Sequence, residues 1–526
     1  MSSASLPLAE ARPRDVNPWI VAVAVMCATF MEILDTTVVN VSLPHIAGNL
    51  SATIDESTWA LTSYLVANAI VLPLTGWLAN HFGRKRLLLT SVAGFTMASF
   101  LCGLAPNLPL LILFRIIQGF TGGALQPISQ AVLLEAFKPE ERGRAMGFWG
   151  LGIVVAPILG PVVGGWLTDS YSWRWVFYIN IPVGLVSLAM IQLYVHDPSY
   201  ITRRSNRIDY WGIGLLAVGI GALQLLLDMG QQDDWFESGL IMTLAVLAVA
   251  GLVAFIVREL RTEHPVVDLR VLRVRTYAVG VFLMTVLGFV LYGSLVLLPL
   301  MLQTLLGYPS LQAGIALAPR GMGSFIAMPL VGAVMSRVDA RKLLAAGLFV
   351  GSCTLFWLGS LNRSLGYWDI FWPQFIQGLA LGLLFVPLTT ITMDSIPREN
   401  MGNATSIFNL MRNIGGSMGI AAATTLLARH RQEHSSNLAS HIDAFNPQVR
   451  ALFDQLKAAF VAQGADAVTA TERARLALFG MVQREAMMLS FTDIFRWLSL
   501  MFLAMLPLLL LMRSPRRRGG AAGAAH

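Results

Sequence analysis

Few ionisable side chains interrupt the long apolar runs of this 526-residue sequence, and those that do stand in patterns suited to handling protons. An ionisable group in hydrocarbon costs at least about 2.5 to 3.5 kcal/mol, so each one is a functional candidate. In the first run Glu32, Thr36 and Asn40 are spaced by four, and Asp35 follows Glu32 by three, which places all four on one helix face. Two carboxyl groups this close and desolvated together can share or trade a proton, which makes Asp35 and Glu32 the candidate proton-coupling residues. A structural ion pair with an arginine of another helix is the other reading, and the two are compatible. Arg115 in the fourth run can supply that guanidinium, and its face continues through Gln118, Gly119, Gly122 and Gln126. A substrate arriving beside the pair would disturb it and release the proton.

The second half of the chain carries matching polar stripes. Arg412 stands with Asn409, Asn413 and Gly416 in the thirteenth run, Arg320 in the tenth, and Gln374 and Gln377 in the twelfth. With Thr36, Asn40, Gln118 and Gln126, residues Arg320, Gln374, Gln377, Asn409 and Arg412 are the expected lining of a substrate cavity. Asp493 and Arg496, three apart in the last run, read as a local pair, and Asp209 and Asp228 as boundary residues of the seventh. His430, His434 and His441 invite a metal reading, since two are spaced by four, but no third strong ligand of fixed spacing follows. No metal site is expected.

Two backbone patterns suit movement. The stretch Gly76 to Arg86 joins the second and third runs. Its glycines allow a tight turn, and its basic residues can grip a helix end or an acid such as Glu135. Pro157, Gly160, Pro161, Gly164 and Gly165 in the fifth run remove bulk and backbone donors, which predicts a bend and a close helix contact. Gly76, Asn80, Gly83, Arg84, Gly160, Pro161, Gly164 and Gly165 are therefore the expected conformational elements.

The helices that must position these groups follow from composition. With 55% hydrophobic and 13% charged residues, the chain is not a soluble globular enzyme. Apolar runs predict fourteen transmembrane helices: 19–43, 57–79, 86–105, 109–134, 144–166, 175–196, 209–228, 239–258, 276–300, 311–335, 342–361, 369–393, 405–428 and 491–512. The first is too long for a signal-peptide core and lacks a small-residue cleavage pattern, so it stays as a span. Short loops and tails on one side hold twenty-four basic residues, among them Arg12, Arg14, Arg203, Arg204, Arg207, Lys342 and Arg518. The other side holds two, Arg174 and Arg363. Such a bias puts both termini in the cytoplasm and explains the net charge of +7 without a nucleic-acid footprint. Cys27, Cys102 and Cys353 each sit in an apolar run and build no disulfide framework.

An internal repeat divides the chain. Gln118, Gly119, Glu135, Gly143 and Ala145 match Gln377, Gly378, Asp394, Gly402 and Ala404 at an offset of 259, and Pro127 matches Pro387 at 260. Two six-helix halves with two helices inserted between them follow, the plan of alternating-access transporters. The expected organisation is a tail at 1–18, a six-helix bundle at 19–196, and two inserted helices with linkers at 197–275. A second bundle at 276–512, with a long outer connection at 429–490, and a tail at 513–526 complete it. Within that connection Val449, Leu452, Phe453, Leu456 and Phe460 keep helical spacing, which predicts a surface helix.

Together these motifs resemble the major facilitator superfamily, in its fourteen-helix drug:proton antiporter branch of EmrB/QacA type, over almost the whole chain. The resemblance rests on Leu34-Asp35-Thr36-Thr37 with Asn40 to Pro44, the Gly76 to Arg86 loop, and Arg115 with Gln118-Gly119. Gly160 to Gly165, Trp173-Arg174-Trp175, Asn180-Ile181-Pro182, Pro373 to Gly378 and Pro387 to Thr390 extend it. The chain departs from the family at Asn80, where an acid is usual, and at Glu32, which the family motif does not fix as acidic. What the resemblance implies is an all-α membrane fold of 6+2+6 helices in the bacterial inner membrane. It further implies export of amphipathic drugs in exchange for protons, with no other cofactor. Family partners would be a periplasmic adaptor of EmrA-like membrane fusion type, a TolC-like outer-membrane channel, and membrane lipid, with no nucleic acid. The outer connection is then either an adaptor-docking surface or a cap over the outer cavity.

Other readings on the same fold are a proton-coupled importer or a dedicated exporter of one metabolite, such as a fatty acid or siderophore. An intramembrane transferase would need a catalytic acid or histidine cluster at an interface with a groove. The buried charges converge instead on helices one, four, ten and thirteen, and no phosphate-binding G-x-x-x-x-G-K-[ST] loop is present, so an enzyme is not expected.

Overall fold

The computed structural model describes residues 17–197, 209–263, 265–335, 337–362, 365–442 and 446–512. The described residues form helices: α1 (Pro18–Asn49), α2 (Glu56–Phe82), α3 (Arg84–Leu104), α4 (Leu108–Ala136), α5 (Arg142–Ser170), α6 (Trp175–Tyr194), α7 (Tyr210–Met229) and α8 (Gly239–Arg261). They continue with α9 (Arg275–Leu305), α10 (Gln312–Val334), α11 (Ala340–Leu358), α12 (Tyr367–Asp394), α13 (Met401–Ser440), α14 (Pro447–Ala462) and α15 (Ala467–Leu511). Basic residues read as topology signals at Arg12, Arg14, Arg203, Arg204, Arg207, Arg363 and Arg518, and the tail 513–526, lie outside the described residues.

Twelve of these helices are long and apolar enough to cross a membrane, and α5, bent by 41° near its internal prolines, makes a thirteenth. The span expected at 405–428 lies within α13, which is too polar to pass on composition because Asn409, Arg412 and Asn413 line it. It buries that stripe in protein instead of lipid, as a polar helix face in hydrocarbon must. The chain is a multi-pass membrane protein.

Local chemistry starts the helices where the pattern changes. Thr53 and Glu56 form a reciprocal capping box at the head of α2, and Asn107 accepts from the Leu110 amide with Pro109 in the first turn of α4. Asp209 caps α7 and binds Arg258 of α8 at 2.7 Å, tying the two inserted helices together.

The same pairings recur in both halves. The first half packs α1 on α5, α2 on α4 and α3 on α6, while the second packs α9 on α13, α10 on α12 and α11 on α15. The halves meet through α5 against α10 and α12, and through α13 against the loop-proximal ends of α2 and α4, while α7 leans on α2 and α13. Exposed Val246, Val249, Val253 and Ile256 on α8 present a lipid-facing stripe.

The outer connection differs from a loop. α13 and α15 run past the apolar segments as unbroken helices and join through α14, which packs on α15. The result is a helical arm, because no proline or glycine interrupts 420–440 of α13 and a search for apolar runs stops where the membrane stops.

Candidate functional site

α1 carries two carboxyl groups one helical turn apart, and its neighbours place them in separate networks. Asp35 is fully buried. Its Oδ2 accepts from Arg115 Nη1 at 2.5 Å, and its Oδ1 accepts from Asn180 Nδ2 at 2.7 Å and Gln118 Nε2 at 3.0 Å. Arg115 is fixed in turn: its Nε donates to the Ala60 carbonyl at 2.8 Å, and the Tyr64 ring lies 4.2 Å from its guanidinium carbon. Asn180 also donates to the Ser99 hydroxyl at 3.0 Å. A carboxylate with three donors, one of them a cation, has its desolvation offset, whereas removing one partner leaves a buried charge. Five helices, α1, α2, α3, α4 and α6, thereby sense the charge on one oxygen pair.

Glu32 faces another way. Asn68 Nδ2 donates to its Oε1 at 2.9 Å, its Oε2 is buried without a hydrogen-bond partner, and Gln126 and Arg412 stand beside the same carboxyl group. Arg412 donates to Gln126, and Asn409 Nδ2 donates to Gln130 Oε1 at 2.5 Å, so a polar seam joins α4 of one half to α13 of the other. Nε and Nη1 of Arg412 have no hydrogen-bond partner. This seam can offer a ligand both an acid and a guanidinium.

The remaining candidates divide by position. Gln118 belongs to the Asp35 cluster. Gln126, Asn409 and Arg412 lie on the seam. Arg320 is buried within the second half, reaches the Ser294 hydroxyl at 3.4 Å, and lines a small crevice with Gln377, Leu287 and Phe502. Gln374 and Gln377 are buried with their side-chain carbonyl oxygens unpartnered. Thr36 turns its hydroxyl back to the Ile33 carbonyl at 2.8 Å, and Asn40 is exposed, so neither joins the acids.

At the basic-loop end the halves close on each other. Arg84 pairs with Glu135 inside the first half, and Arg142 pairs with Asp394 across the halves at 2.7 Å. A Cβ on Gly76 would lie 2.6 Å from the Asn403 Cα, so only glycine allows that approach. Gly83 adopts φ +88° beside Asp197, which accepts from the Lys85 amide at 2.8 Å. Asn80 is exposed, and the acid that anchors the loop is Asp197. On α5, a Cβ at Gly160 would meet Thr37 and one at Gly164 the Val38 carbonyl at 2.9 Å, whereas Gly165 has nothing within 4 Å. Gly165 is therefore not a contact glycine, unlike its neighbours.

Sequence reasoning passed over Asn68, Tyr64, Gln130 and Asp197, and met Asn180 only as part of a motif. Asn68 and Gln130 stand in apolar runs and answer to the same rule that exposed Asp35. Asp197 lies at a helix end and gives no such signal.

Comparison with known proteins agrees with this architecture. Residues 25–420 match the model of the Major Facilitator Superfamily. The chain is 37% identical over 509 residues to the multidrug export protein EmrB of Escherichia coli K12, covering 96% of this chain and 98% of that one. It is 38% identical over 494 residues to the fatty acid resistance protein FarB of Neisseria gonorrhoeae, covering 94% and 96%. Among solved structures, the human organic anion transporter MFSD10 shares the fold with a TM-score of 0.59 at 13% identity, over 95% of this chain and all of that one. The chain belongs to the major facilitator superfamily, a family of transporters, among relatives of EmrB type.

Proposed function

We propose that this protein is a proton-coupled antiporter that exports amphipathic, largely hydrophobic drugs across the bacterial inner membrane, both termini lying in the cytoplasm. The observation that carries the reading is the fully buried Asp35–Arg115 pair, an ion pair at the centre of five helices in which neutralising Asp35 must alter their packing. Similarity over nearly the full length to a multidrug export protein supports the cargo class.

In this mechanism a proton taken from outside neutralises Asp35 and frees Arg115, Gln118 and Asn180, and the carrier reopens inward. Drug arriving at the seam of Glu32, Gln126, Asn409 and Arg412 then favours the ionised pair and discharges the proton. Arg320, Gln374 and Gln377 contribute polar contacts from the second half. One elementary charge falling through 100 mV supplies about 2.3 kcal/mol, roughly fortyfold in a concentration ratio, so no cofactor beyond the proton is required. Gly76, Gly83 and Arg84 let the basic-loop end close behind the cargo, while Gly160 and Gly164 hold α5 tight against α1.

The helical arm is the docking surface for a periplasmic adaptor that leads to an outer-membrane channel. Its α15 segment exposes Val468, Leu476 and Phe479, apolar side chains that a partner would cover. A second reading, export of fatty acids, draws support from the likeness to FarB and from the unpartnered Nε and Nη1 of Arg412, which suit a carboxylate.

Dye efflux in inverted vesicles with an imposed pH gradient tests the assignment. Transport should follow the gradient and collapse in Asp35→Asn while dye binding persists. Efflux indifferent to the gradient would remove proton coupling and leave a facilitator or a carrier driven by another ion.

A further inference from the structure

Where the arm meets the outer ends of the spans, α13 and α15 bring together three side chains that the transport reading does not use. His430 and His434 lie one turn apart on α13, and Asp493 of α15 faces them. His434 Nε2 is 2.8 Å from Asp493 Oδ2, and His430 Nδ1 is 4.0 Å from the same oxygen. All three ligating atoms lie within 4.8 Å of one another. His430 Nδ1 is buried and has no hydrogen-bond partner. The other carboxylate oxygen, Oδ1, turns to Arg496 at 3.9 Å, which leaves Oδ2 to the imidazoles. His441, the third histidine of the region, is spent locally, its Nδ1 resting 2.8 Å from the Asn437 carbonyl.

We propose that His430, His434 and Asp493 form a divalent transition-metal site, with Zn2+ the preferred occupant. Two neutral imidazoles and one carboxylate suit zinc, with a fourth position left to water or to a partner's side chain. Ligands about 2.0 to 2.2 Å from a tetrahedral zinc stand roughly 3.4 Å apart. The observed 2.8 Å and 4.0 Å separations bracket that value, so side-chain rotation alone converts the cluster into a site. The side chains are 20%, 27% and 31% exposed, enough for an ion to enter without unfolding either helix. Bound metal would pin α13 to α15 at the base of the arm and fix the angle at which the arm projects. A local spacing search finds only two of the ligands, because the third comes from 59 residues further along the chain.

The test uses full-length detergent-purified protein without a polyhistidine tag, titrated with Zn2+ and, as a spectroscopic probe, Co2+. One equivalent of Zn2+ per chain and the visible absorption of tetrahedral Co2+ are expected. His434→Ala and Asp493→Asn should each weaken binding at least tenfold, while His441→Ala leaves it unchanged. Dye binding by each variant reports that the fold survives. Wild type that binds no stoichiometric Zn2+, or a His430→Ala/His434→Ala double variant that binds like wild type, would overturn the site and leave a plain histidine–aspartate hydrogen bond.

Discussion

Arg142 of α5 and Asp394 of α12 form an ion pair at 2.7 Å that joins the two halves of the molecule at the basic-loop end. The internal repeat makes this asymmetry informative. Asp394 is the counterpart of Glu135, which pairs with Arg84 inside its own half. Arg84 has a looser counterpart in Arg341, at an offset of 257, which binds Asp339 at 3.1 Å, and Asp394 reaches across to the first half. Separating the halves at that end must break this bond, so the pair is placed to time the opening.

Reversing the pair tests this. Arg142→Asp and Asp394→Arg should each slow dye efflux by about tenfold, the equivalent of roughly 1.4 kcal/mol. Combining them should restore much of the loss, since coupling between contacting residues shows as non-additivity. Additive losses in the double variant would mean that the pair does not act as a latch.

Glycine packing makes a second prediction with its own control. Gly164→Ala places a methyl against the Val38 carbonyl at 2.9 Å, whereas Gly165→Ala meets open space. The first should lose about 1 to 3 kcal/mol of stability and the second almost none. Thermal unfolding in detergent measures both. Equal losses would show that α1 and α5 do not pack as described.

The two acids of α1 should separate by phenotype. Glu32 borders the seam and bonds Asn68, while Asp35 is enclosed by Arg115, Gln118 and Asn180. Glu32→Gln should change the affinity for cationic against neutral dyes by several-fold and keep transport tied to the pH gradient, whereas Asp35→Asn should uncouple it. Uncoupling in Glu32→Gln would assign the proton to both acids.

Much of this was legible because hydrocarbon is a strict solvent. Runs of about 20 apolar residues locate the helices, and Asp35 and Arg115 stand out since so few charges occur there. The pairing of Arg84 with Glu135 was legible from a basic loop beside an acid. The amides Asn68 and Gln130 were harder to see, because an uncharged amide costs less to bury and catches the eye less than a carboxylate. Asp493 was legible only in part, since its local pair with Arg496 forms at 3.9 Å. Its neighbour Arg496 is three residues away, yet its nearest charged or ionisable contact is His434, a tertiary contact that local spacing cannot report. The arm escaped notice in part because α13 and α15 leave the membrane without changing secondary structure.

The most direct measurement of the central claim is proton release when a transported dye is added to purified protein in weakly buffered detergent solution. Ligand binding should release up to one proton per chain in wild type, and Asp35→Asn should bind the dye with no release. Equal release from both proteins would contradict the assignment of Asp35 as the coupling residue.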